Sequence, residues 1–225
     1  MRPPVRRAGA SRRGSFIHIV PLHPAYNARL SGHIPAKKIG VLTGNHMEGY
    51  CLNPLLSQDQ IASIVQRLAD QISKDYGGRE LVLVCILKGA FMFLSDLVRH
   101  LRIPVQVDFV RLASYGSAMK TSGVIEITKD IEIPIEGKDV LIIEDIIDSG
   151  RTLQFLKDRL SLANPHSVKI CALLDKKARR EVEMEADYLG TEVNDVFIVG
   201  YGIDFNENYR HLPEVYYVTS TDHPE

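Results

Sequence analysis

Two adjacent carboxylates and a short polar loop form the part of the sequence that is richest in reactive side chains. Glu144 and Asp145 end a run of four apolar residues, and Asp148 comes directly before the segment Ser149-Gly-Arg-Thr152. Carboxylates can bind sugar hydroxyls, and the free N–H groups of a helix N-terminus, joined by the two hydroxyls and a small glycine, can bind a phosphate. Because open α/β sheets bind ligands at the carboxyl ends of their strands, the pattern predicts a site for a sugar phosphate.

Predicted helices and strands alternate around this loop. The run from Leu81 to Leu87 is apolar throughout, which is typical of a strand buried on both faces in a parallel sheet. Ser57 to Gln60 has the pattern of a capping box and begins a helix with apolar residues at helical spacing. Further helices are predicted at 91–101 and 152–163, a hairpin arm at 123–128, and strands at 105–110, 140–143, 168–174 and 196–199. This alternation predicts an α/β fold, with a doubly wound, mainly parallel sheet and helices on both faces.

The overall composition is that of an ordinary globular protein, with 45% hydrophobic and 24% charged residues among 225. The longest apolar run has seven residues, whereas a membrane-spanning helix needs about 20. The three cysteines, at positions 51, 85 and 171, are scattered and form no CxxC pair, which indicates reduced thiols. We therefore expect a cytoplasmic protein that does not associate with membranes.

Residues 1–46 differ in composition from the rest of the chain. They contain eight basic residues, five prolines and no acidic residue, whereas residues 47–225 contain 19 basic and 28 acidic residues. The acidic body argues against nucleic-acid binding. We predict a basic, flexible N-terminal extension over 1–46 and one folded domain over 47–225. The extension is open to three interpretations: a transit peptide, a basic binding arm, or an unstructured segment before a true start at Met47.

The order of residues around Asp148 closely resembles a known signature. Four apolar residues, Glu-Asp, two apolar residues and Asp-Ser-Gly-x-Thr are similar to the phosphoribosyl-pyrophosphate motif of type I phosphoribosyltransferases. Four other segments resemble the 6-oxopurine (hypoxanthine-guanine) branch of that family, and the resemblance covers roughly residues 56–218. They are Leu87–Gly89, Val107–Tyr115, Leu173–Lys176 and Phe197–Arg210.

The resemblance implies a fold and a reaction. The fold is that of type I phosphoribosyltransferases, with a small hood region beside the sheet. The reaction is transfer of the 5-phosphoribosyl group from phosphoribosyl pyrophosphate to hypoxanthine or guanine, which gives IMP or GMP and pyrophosphate in purine salvage. The resemblance also implies Mg²⁺ as cofactor and a homo-oligomer, either a dimer or a tetramer.

Residue roles follow from the resemblance position by position. Asp148 matches the catalytic acid/base, which takes a proton from N7 of the purine, while Glu144 and Asp145 match the acids that hold the ribose hydroxyls and, with Asp204, the metal. The other assigned residues fall into four groups: the 5′-phosphate is bound by Ser149, Gly150, Arg151 and Thr152; the pyrophosphate by Lys88, Gly89 and Arg210; the purine by Lys176, Phe197, Ile198 and Asp204; and Ser114 and Tyr115 belong to a mobile lid.

Several residues also have a plainer interpretation. Asp148 could cap a helix, Phe197 could be a core residue of a strand, and Ser114 with Tyr115 could form a simple hairpin connection. The same family resemblance leaves two other functions open: a transferase specific for xanthine or a pyrimidine, and a non-catalytic regulator that binds nucleotides or RNA. The presence of both Asp148 and Lys176, together with the acidic body, counts against the regulator.

Overall fold

The computed structural model of the chain describes residues 50–117 and 120–220, and its description of side chains leaves out 114–124. The elements in chain order are β1 (Tyr50–Leu56), α1 (Gln58–Asp75), β2 (Leu81–Leu87), α2 (Phe91–His100), β3 (Val105–Ser117), β4 (Lys120–Lys129), β5 (Asp139–Ile147), α3 (Arg151–Ser161), β6 (Ser167–Asp175), β7 (Tyr188–Glu192), β8 (Phe197–Val199) and β9 (Val215–Ser220). A single turn of 3₁₀ helix follows β6 at Lys177–Arg179.

The larger sheet has the strand order β4-β3-β2-β5-β6-β7. Each neighbouring pair from β3 to β7 is parallel, and only β4 runs antiparallel, as the second arm of a hairpin with β3. Parallel neighbours need crossover connections, which the chain supplies through α2 and α3. The predicted doubly wound, mainly parallel sheet is confirmed.

Helices cover both faces of this sheet. Along β2, Leu83 and Cys85 pack into one buried cluster with α1 and α2, whereas Val82 and Val84 pack into a second cluster with α3. Because successive side chains of a strand point to opposite faces, a strand covered on both sides must be apolar at every position, as β2 is. The two cores hold β5, which carries Glu144 and Asp145, rigidly at the centre of the sheet.

The first helix begins where the capping box predicts. The Ser57 hydroxyl accepts a hydrogen bond from the Gln60 backbone N–H at 3.3 Å, and the Gln60 side chain accepts one from the Ser57 N–H at 2.8 Å. The helix ends at Asp75, with Tyr76 as its C-cap, directly before the predicted stop at Gly77-Gly78. Its buried face packs on the edge of the sheet that leads to β7.

A second, three-stranded antiparallel sheet has the order β1-β9-β8 and forms the hood that the resemblance implied. The sequence analysis missed β1, β7 and β9, and it counted 196–199 among the strands of the mainly parallel sheet, which was wrong. Strand β8 pairs with β9 instead. Two of the missed strands contain residues that weaken a strand pattern: Pro54 in β1 and Gly190 in β7.

A buried carboxylate joins β3 to the segment that follows β4. Both oxygens of Asp108 accept backbone N–H groups, from Phe109 at 2.7 Å, Glu132 at 2.6 Å and Ile133 at 2.8 Å. The Lys129 ammonium contacts the same carboxylate at 3.3 Å. Asp108 therefore fastens the 131–133 segment to the sheet.

Candidate active site

Glu144 and Asp145 lie next to each other in the second half of β5, and both are buried. The Asp145 backbone N–H donates to Oε1 of Glu144 at 3.2 Å, and the Ile146 N–H donates to Oδ1 of Asp145 at 2.9 Å. Within the described ranges neither carboxylate has a Lys or Arg partner. Burial, and then the neighbouring charge of Asp145, raise the pKa of Glu144 well above its usual value. The pair is therefore short of positive charge.

The loop after β5 surrounds a cavity of about 140 Å³, which has room for a phosphate group. At the start of α3, the N-cap residue Gly150 has φ +83°, in the left-handed region that favours glycine, and it has no side chain with which to cap the helix. The first-turn N–H groups of α3 face this loop, where an anion can accept hydrogen bonds from them, although that of Arg151 also contacts the Ser149 hydroxyl. The cavity is lined by Glu144, Ile146, Ile147, Asp148, Ser149, Gly150, Thr152 and Leu153.

Asp148 does not cap α3, so that interpretation was wrong. The N-cap position belongs to Gly150, which places Asp148 two residues too early to reach the first-turn N–H groups. Its carboxylate instead lies 3.3 Å from Nε of Arg179, and it is about half exposed. Asp148 therefore presents an accessible carboxylate at the rim of the cavity.

The side chain and the backbone of Arg151, which is predicted to help bind the 5′-phosphate, are placed differently. Its guanidinium pairs with Glu181 at 2.5 Å on the exposed surface, and its side chain does not line the cavity. Its backbone N–H, which contacts the Ser149 hydroxyl at 3.4 Å, does face the loop. At this position the backbone, rather than the side chain, is placed for phosphate.

The loop after β2 meets β5 at a point without spare room. The peptide bond between Leu87 and Lys88 is cis. A Cβ atom placed on Gly89 would lie 1.8 Å from Oδ2 of Asp145, and one placed on Gly202 would lie 2.2 Å from the Gly89 carbonyl oxygen. Three segments distant in sequence therefore touch through two glycines.

The turn after β8 brings two basic groups together. Arg210 donates from Nη1 to the Gly202 carbonyl at 2.8 Å, while its Nη2 lies 2.8 Å from Asp204 and 3.2 Å from Glu207. The other oxygen of Glu207 lies 2.8 Å from Nζ of Lys88. The side-chain hydrogen bonds from Lys88 and Arg210 lower the pKa of Glu207. Glu207 thus links the two predicted pyrophosphate residues.

The residues predicted to bind a base lie at the ends of β6 and β8. Lys176 is only 7% exposed, and its backbone N–H donates to the Ile147 carbonyl at 2.9 Å. Its neighbour Lys177 points to the surface and pairs with Glu192 at 2.5 Å. Phe197 is 48% exposed, which rules out the core interpretation, and contacts Phe205 edge to face at 5.3 Å between ring centroids.

Comparison with known proteins identifies the family. Residues 53–206, more than half of the chain, match the phosphoribosyl transferase domain.

The chain belongs to the phosphoribosyltransferase family.

Its relatives within the family are purine enzymes by name. A hypoxanthine phosphoribosyltransferase of Salmonella typhimurium is 47% identical over 163 residues, which cover 72% of this chain and 92% of the relative. A hypoxanthine-guanine phosphoribosyltransferase of Aquifex aeolicus is also 47% identical, over 76% of this chain and 97% of the relative. The predicted 6-oxopurine branch of the phosphoribosyltransferase family is therefore confirmed.

Solved structures agree with the fold. A hypoxanthine-guanine phosphoribosyltransferase of Bacillus anthracis, 46% identical, superposes with a TM-score of 0.71 over 74% of this chain and 98% of that chain. A hypoxanthine phosphoribosyltransferase of Staphylococcus aureus, 40% identical, gives 0.73 over 77% and 94%. Among the described residues, no helix of this phosphoribosyltransferase has the length and hydrophobicity to cross a membrane.

The three acids predicted to hold a metal do not form one cluster. In the described part of the chain, no group of three or more His, Cys, Asp or Glu side chains is close enough to hold an ion. Asp204 is engaged elsewhere, because its carboxylate pairs with Arg210 and accepts the Glu207 backbone N–H at 2.8 Å. Only Glu144 and Asp145 remain together.

The lid prediction falls on residues whose side chains lie outside the description. The backbone of Ser114 and Tyr115 belongs to β3 and pairs with Ile125 and Val124 of β4. The predicted hairpin is present, and the lid function of Ser114 and Tyr115 stays a prediction.

The sequence analysis missed the residues that hold the Asp148 loop from the other side. Arg180 donates to the Asp148 carbonyl at 2.8 Å and pairs with the buried Asp175. The Glu181 backbone N–H donates to the Ser149 carbonyl at 3.0 Å. The run of basic residues from Lys176 to Arg180 was the available signal, but it does not show which member turns inward.

Proposed function

We propose that the protein transfers the 5-phosphoribosyl group of phosphoribosyl pyrophosphate to hypoxanthine or guanine. The bond from C1′ of the ribose to the pyrophosphate oxygen breaks, a bond from C1′ to the purine nitrogen forms, and the purine loses a proton. The observation that carries the proposal is the buried Glu144–Asp145 pair beside a phosphate-sized cavity at the N-terminus of α3. The names of the relatives agree with this reaction.

The cavity and the acid pair divide the sugar phosphate between them. The first-turn N–H groups of α3 and the hydroxyls of Ser149 and Thr152 bind the 5′-phosphate. Glu144 and Asp145 accept hydrogen bonds from the ribose hydroxyls. As the bond at C1′ breaks, positive charge develops on the ribose, and the two carboxylates stabilise it in a site already desolvated by the protein.

Asp148 acts as the general base. Its carboxylate is accessible, lies at the rim of the cavity and is oriented by Arg179 from one side and by Arg180, through the Asp148 carbonyl, from the other. A carboxylate held there can accept the proton from N7 of the purine when it lies within hydrogen-bond reach.

The base site uses the two strand ends around Lys176 and Phe197. The Lys176 ammonium donates to the 6-oxo oxygen of hypoxanthine or guanine, a role that adenine, with an amino group at that position, does not match. The exposed face of Phe197 stacks on the purine, and the backbone of Ile198 contacts its edge.

The acid pair fits a magnesium ion held largely by its substrate. Burial and the charge of Asp145 raise the pKa of Glu144. Two such carboxylates match an ion that takes one or two protein carboxylates and keeps the rest of its shell for water and phosphate oxygens. When bound, Mg²⁺ neutralises charge on the pyrophosphate as it departs. Asp204 would act on the ion only through water.

Two adjacent lysines provide the test. Turnover of phosphoribosyl pyrophosphate is measured with hypoxanthine, guanine, xanthine, adenine and uracil, for the wild type and for Lys176→Ala and Lys177→Ala. We expect activity with the 6-oxopurines, and an increase of about 10- to 100-fold in the KM for hypoxanthine in Lys176→Ala, since a hydrogen bond from a charged group is lost. Lys177→Ala should match the wild type. No turnover with any base would contradict the proposal.

A further inference from the structure

The carboxylate of Glu207 stands between the two cations that the proposed function assigns to pyrophosphate. One oxygen lies 2.8 Å from Nζ of Lys88, and the other lies 3.2 Å from Nη2 of Arg210. An oxyanion that bridges two basic groups makes the same contacts that a pyrophosphate oxygen would make. Glu207 thus occupies the place of the anion with a group of the protein itself.

The turn that carries Glu207 holds it in an unusual backbone conformation. Glu207 has φ +62° and its neighbour Asn206 has φ +48°, both in the left-handed region that residues other than glycine rarely adopt. The Glu207 N–H donates to Asp204, and Phe205 and Asn208 close the turn with a pair of backbone hydrogen bonds. The position of the Glu207 side chain is therefore set by the turn.

The contacts that Glu207 makes are easily exchanged. Its side chain is 65% exposed and the Lys88 side chain is 44% exposed, so their ion pair is of the weak, solvent-screened kind. The pair between Arg210 and Asp204 is more enclosed. An incoming anion would displace Glu207 from both cations while Asp204 keeps Arg210 in position.

We propose that Glu207 is an internal competitor of pyrophosphate. Its carboxylate neutralises Lys88 and Arg210 in the free protein, leaves both when phosphoribosyl pyrophosphate binds, and returns to them as the pyrophosphate product departs. The proposal rests on the proposed function, which assigns Lys88 and Arg210 to pyrophosphate. Its consequence is that Glu207 weakens the hold on pyrophosphate and favours release of the product.

The test compares Glu207→Gln with Glu132→Gln. The control also removes one exposed carboxylate, which pairs with Lys129 at 3.2 Å beyond the end of β4. The dissociation constant of pyrophosphate with Mg²⁺ is measured by titration calorimetry, and its inhibition constant is measured in the forward reaction. We expect Glu207→Gln to bind pyrophosphate about three- to tenfold more tightly, as two exposed ion pairs no longer compete. The KM for hypoxanthine and the behaviour of Glu132→Gln should be unchanged.

Rescue and salt separate competition from positioning. Glu207→Asp keeps the charge and suits a left-handed backbone. It should therefore return the affinity for pyrophosphate to the weaker value of the wild type. The gain in Glu207→Gln should shrink as salt is added. Weaker or unchanged pyrophosphate binding in Glu207→Gln would overturn the inference, whatever the state of the proposed function. Failure of the proposed function has a different signature, since the wild type would then turn over none of the five bases.

Discussion

Two buried carboxylate sites in the same sheet have opposite surroundings. Asp108 on β3 accepts three backbone N–H groups and contacts the ammonium of Lys129. Burial by itself would raise the pKa of Asp108, but the N–H groups of Ile133, Glu132 and Phe109 outweigh it and lower the pKa below its usual value. The protein itself therefore supplies this carboxylate with hydrogen-bond donors and with a positive charge.

The pair on β5 is equally buried, but each of its carboxylates accepts fewer backbone N–H groups than Asp108 does. In the described part of the chain, the backbone N–H groups that Glu144 and Asp145 accept are those of the next residues along the chain, and each carboxylate adds negative charge to the other's surroundings. Burial and the charge of Asp145 raise the pKa of Glu144. Exposure to solvent therefore does not distinguish the two sites, whereas the supply of donors does.

The contrast separates a structural carboxylate from one kept for a ligand. A buried acid surrounded by donors contributes to stability, and a buried acid pair without donors costs stability unless a cation or hydroxyl groups arrive. A shortage of this kind beside an open cavity is typical of a functional site. The predictions that follow test whether the two regions can be separated by experiment.

The largest effect is expected at Asp148, the third carboxylate of the site. Asp148→Asn keeps the shape and the contact with Arg180 through the carbonyl, but it removes the proton acceptor. Turnover should fall about 10²- to 10⁴-fold, which corresponds to roughly 3–5 kcal/mol of barrier, with the melting temperature nearly unaltered. Steady-state kinetics with hypoxanthine check this. If Asp148→Asn kept the turnover of the wild type between pH 6 and 9, Asp148 would not be the base.

The next effect divides the two regions directly. Asp145→Asn should lower turnover about 10²- to 10³-fold, because stabilisation of the developing charge is lost. Its melting temperature without metal should not fall, since a repulsive buried charge has been removed. Added Mg²⁺ should raise the melting temperature of the wild type and of Asp108→Asn but not of Asp145→Asn, by the linkage of binding to stability. A similar change of melting temperature in all three proteins would show that Asp145 does not bind the metal.

The reciprocal change acts on stability alone. Asp108→Asn turns an amide group toward N–H donors of the 132–133 segment, and leaving a buried donor unsatisfied costs about 1–3 kcal/mol. Urea unfolding should show that loss, while turnover of the folded protein stays within about twofold of the wild type. A large loss of turnover at unchanged stability would mean that Asp108 belongs to the site.

The two regions should also respond to pH with opposite signs. A lowered pKa in the folded state means that Asp108 contributes stability above about pH 4, which is lost as the pH falls through its folded pKa. A raised pKa means that Glu144 reduces stability as the pH rises above about 4.3 toward its folded pKa. Relative to Asp108→Asn the wild type should gain stability with rising pH, and relative to Glu144→Gln it should lose stability.

Unfolding curves between pH 3 and 8, without divalent cations, measure both differences. If the free energy of unfolding changed with pH in the same way for the wild type and for Glu144→Gln, the charge of Glu144 would be compensated in the folded protein.

The smallest effect is expected from removing residues 1–46, which contain none of the residues of either region. The truncated protein should keep turnover within about twofold, a change of less than ~0.5 kcal/mol. Kinetics of proteins with and without the segment give the answer. A tenfold loss would contradict the predicted division of the chain at His46.

The sequence predicted what is encoded locally. The capping box at Ser57, the uniformly apolar β2 and the loop from Asp148 to Thr152 each depend on neighbours along the chain, and they appear in the structure where predicted.

What the sequence does not indicate has a different cause, which is that long-range partners decide where a side chain points. The guanidinium of Arg151 follows Glu181, thirty residues later, and Asp204 is held by Arg210 instead of by the β5 acids. The hood strands β1 and β9 pair with each other, but they are short and lie near opposite ends of the domain's sequence. Neither strand therefore indicates the other in the sequence. Glu207 was overlooked for the same reason, since its partner Lys88 is 119 residues away.

The contact of Gly89 with Asp145 and Gly202 has a consequence for the order of synthesis. The ribosome completes the loop at Gly89 long before the turn at Gly202 that presses on it, and the turn is among the last parts of the domain to emerge. A nascent chain that stops before Gly202 lacks Arg210 and one wall of the loop. Substrate can therefore stabilise only a chain that extends beyond Arg210, and it should not rescue a product truncated by an earlier stop codon.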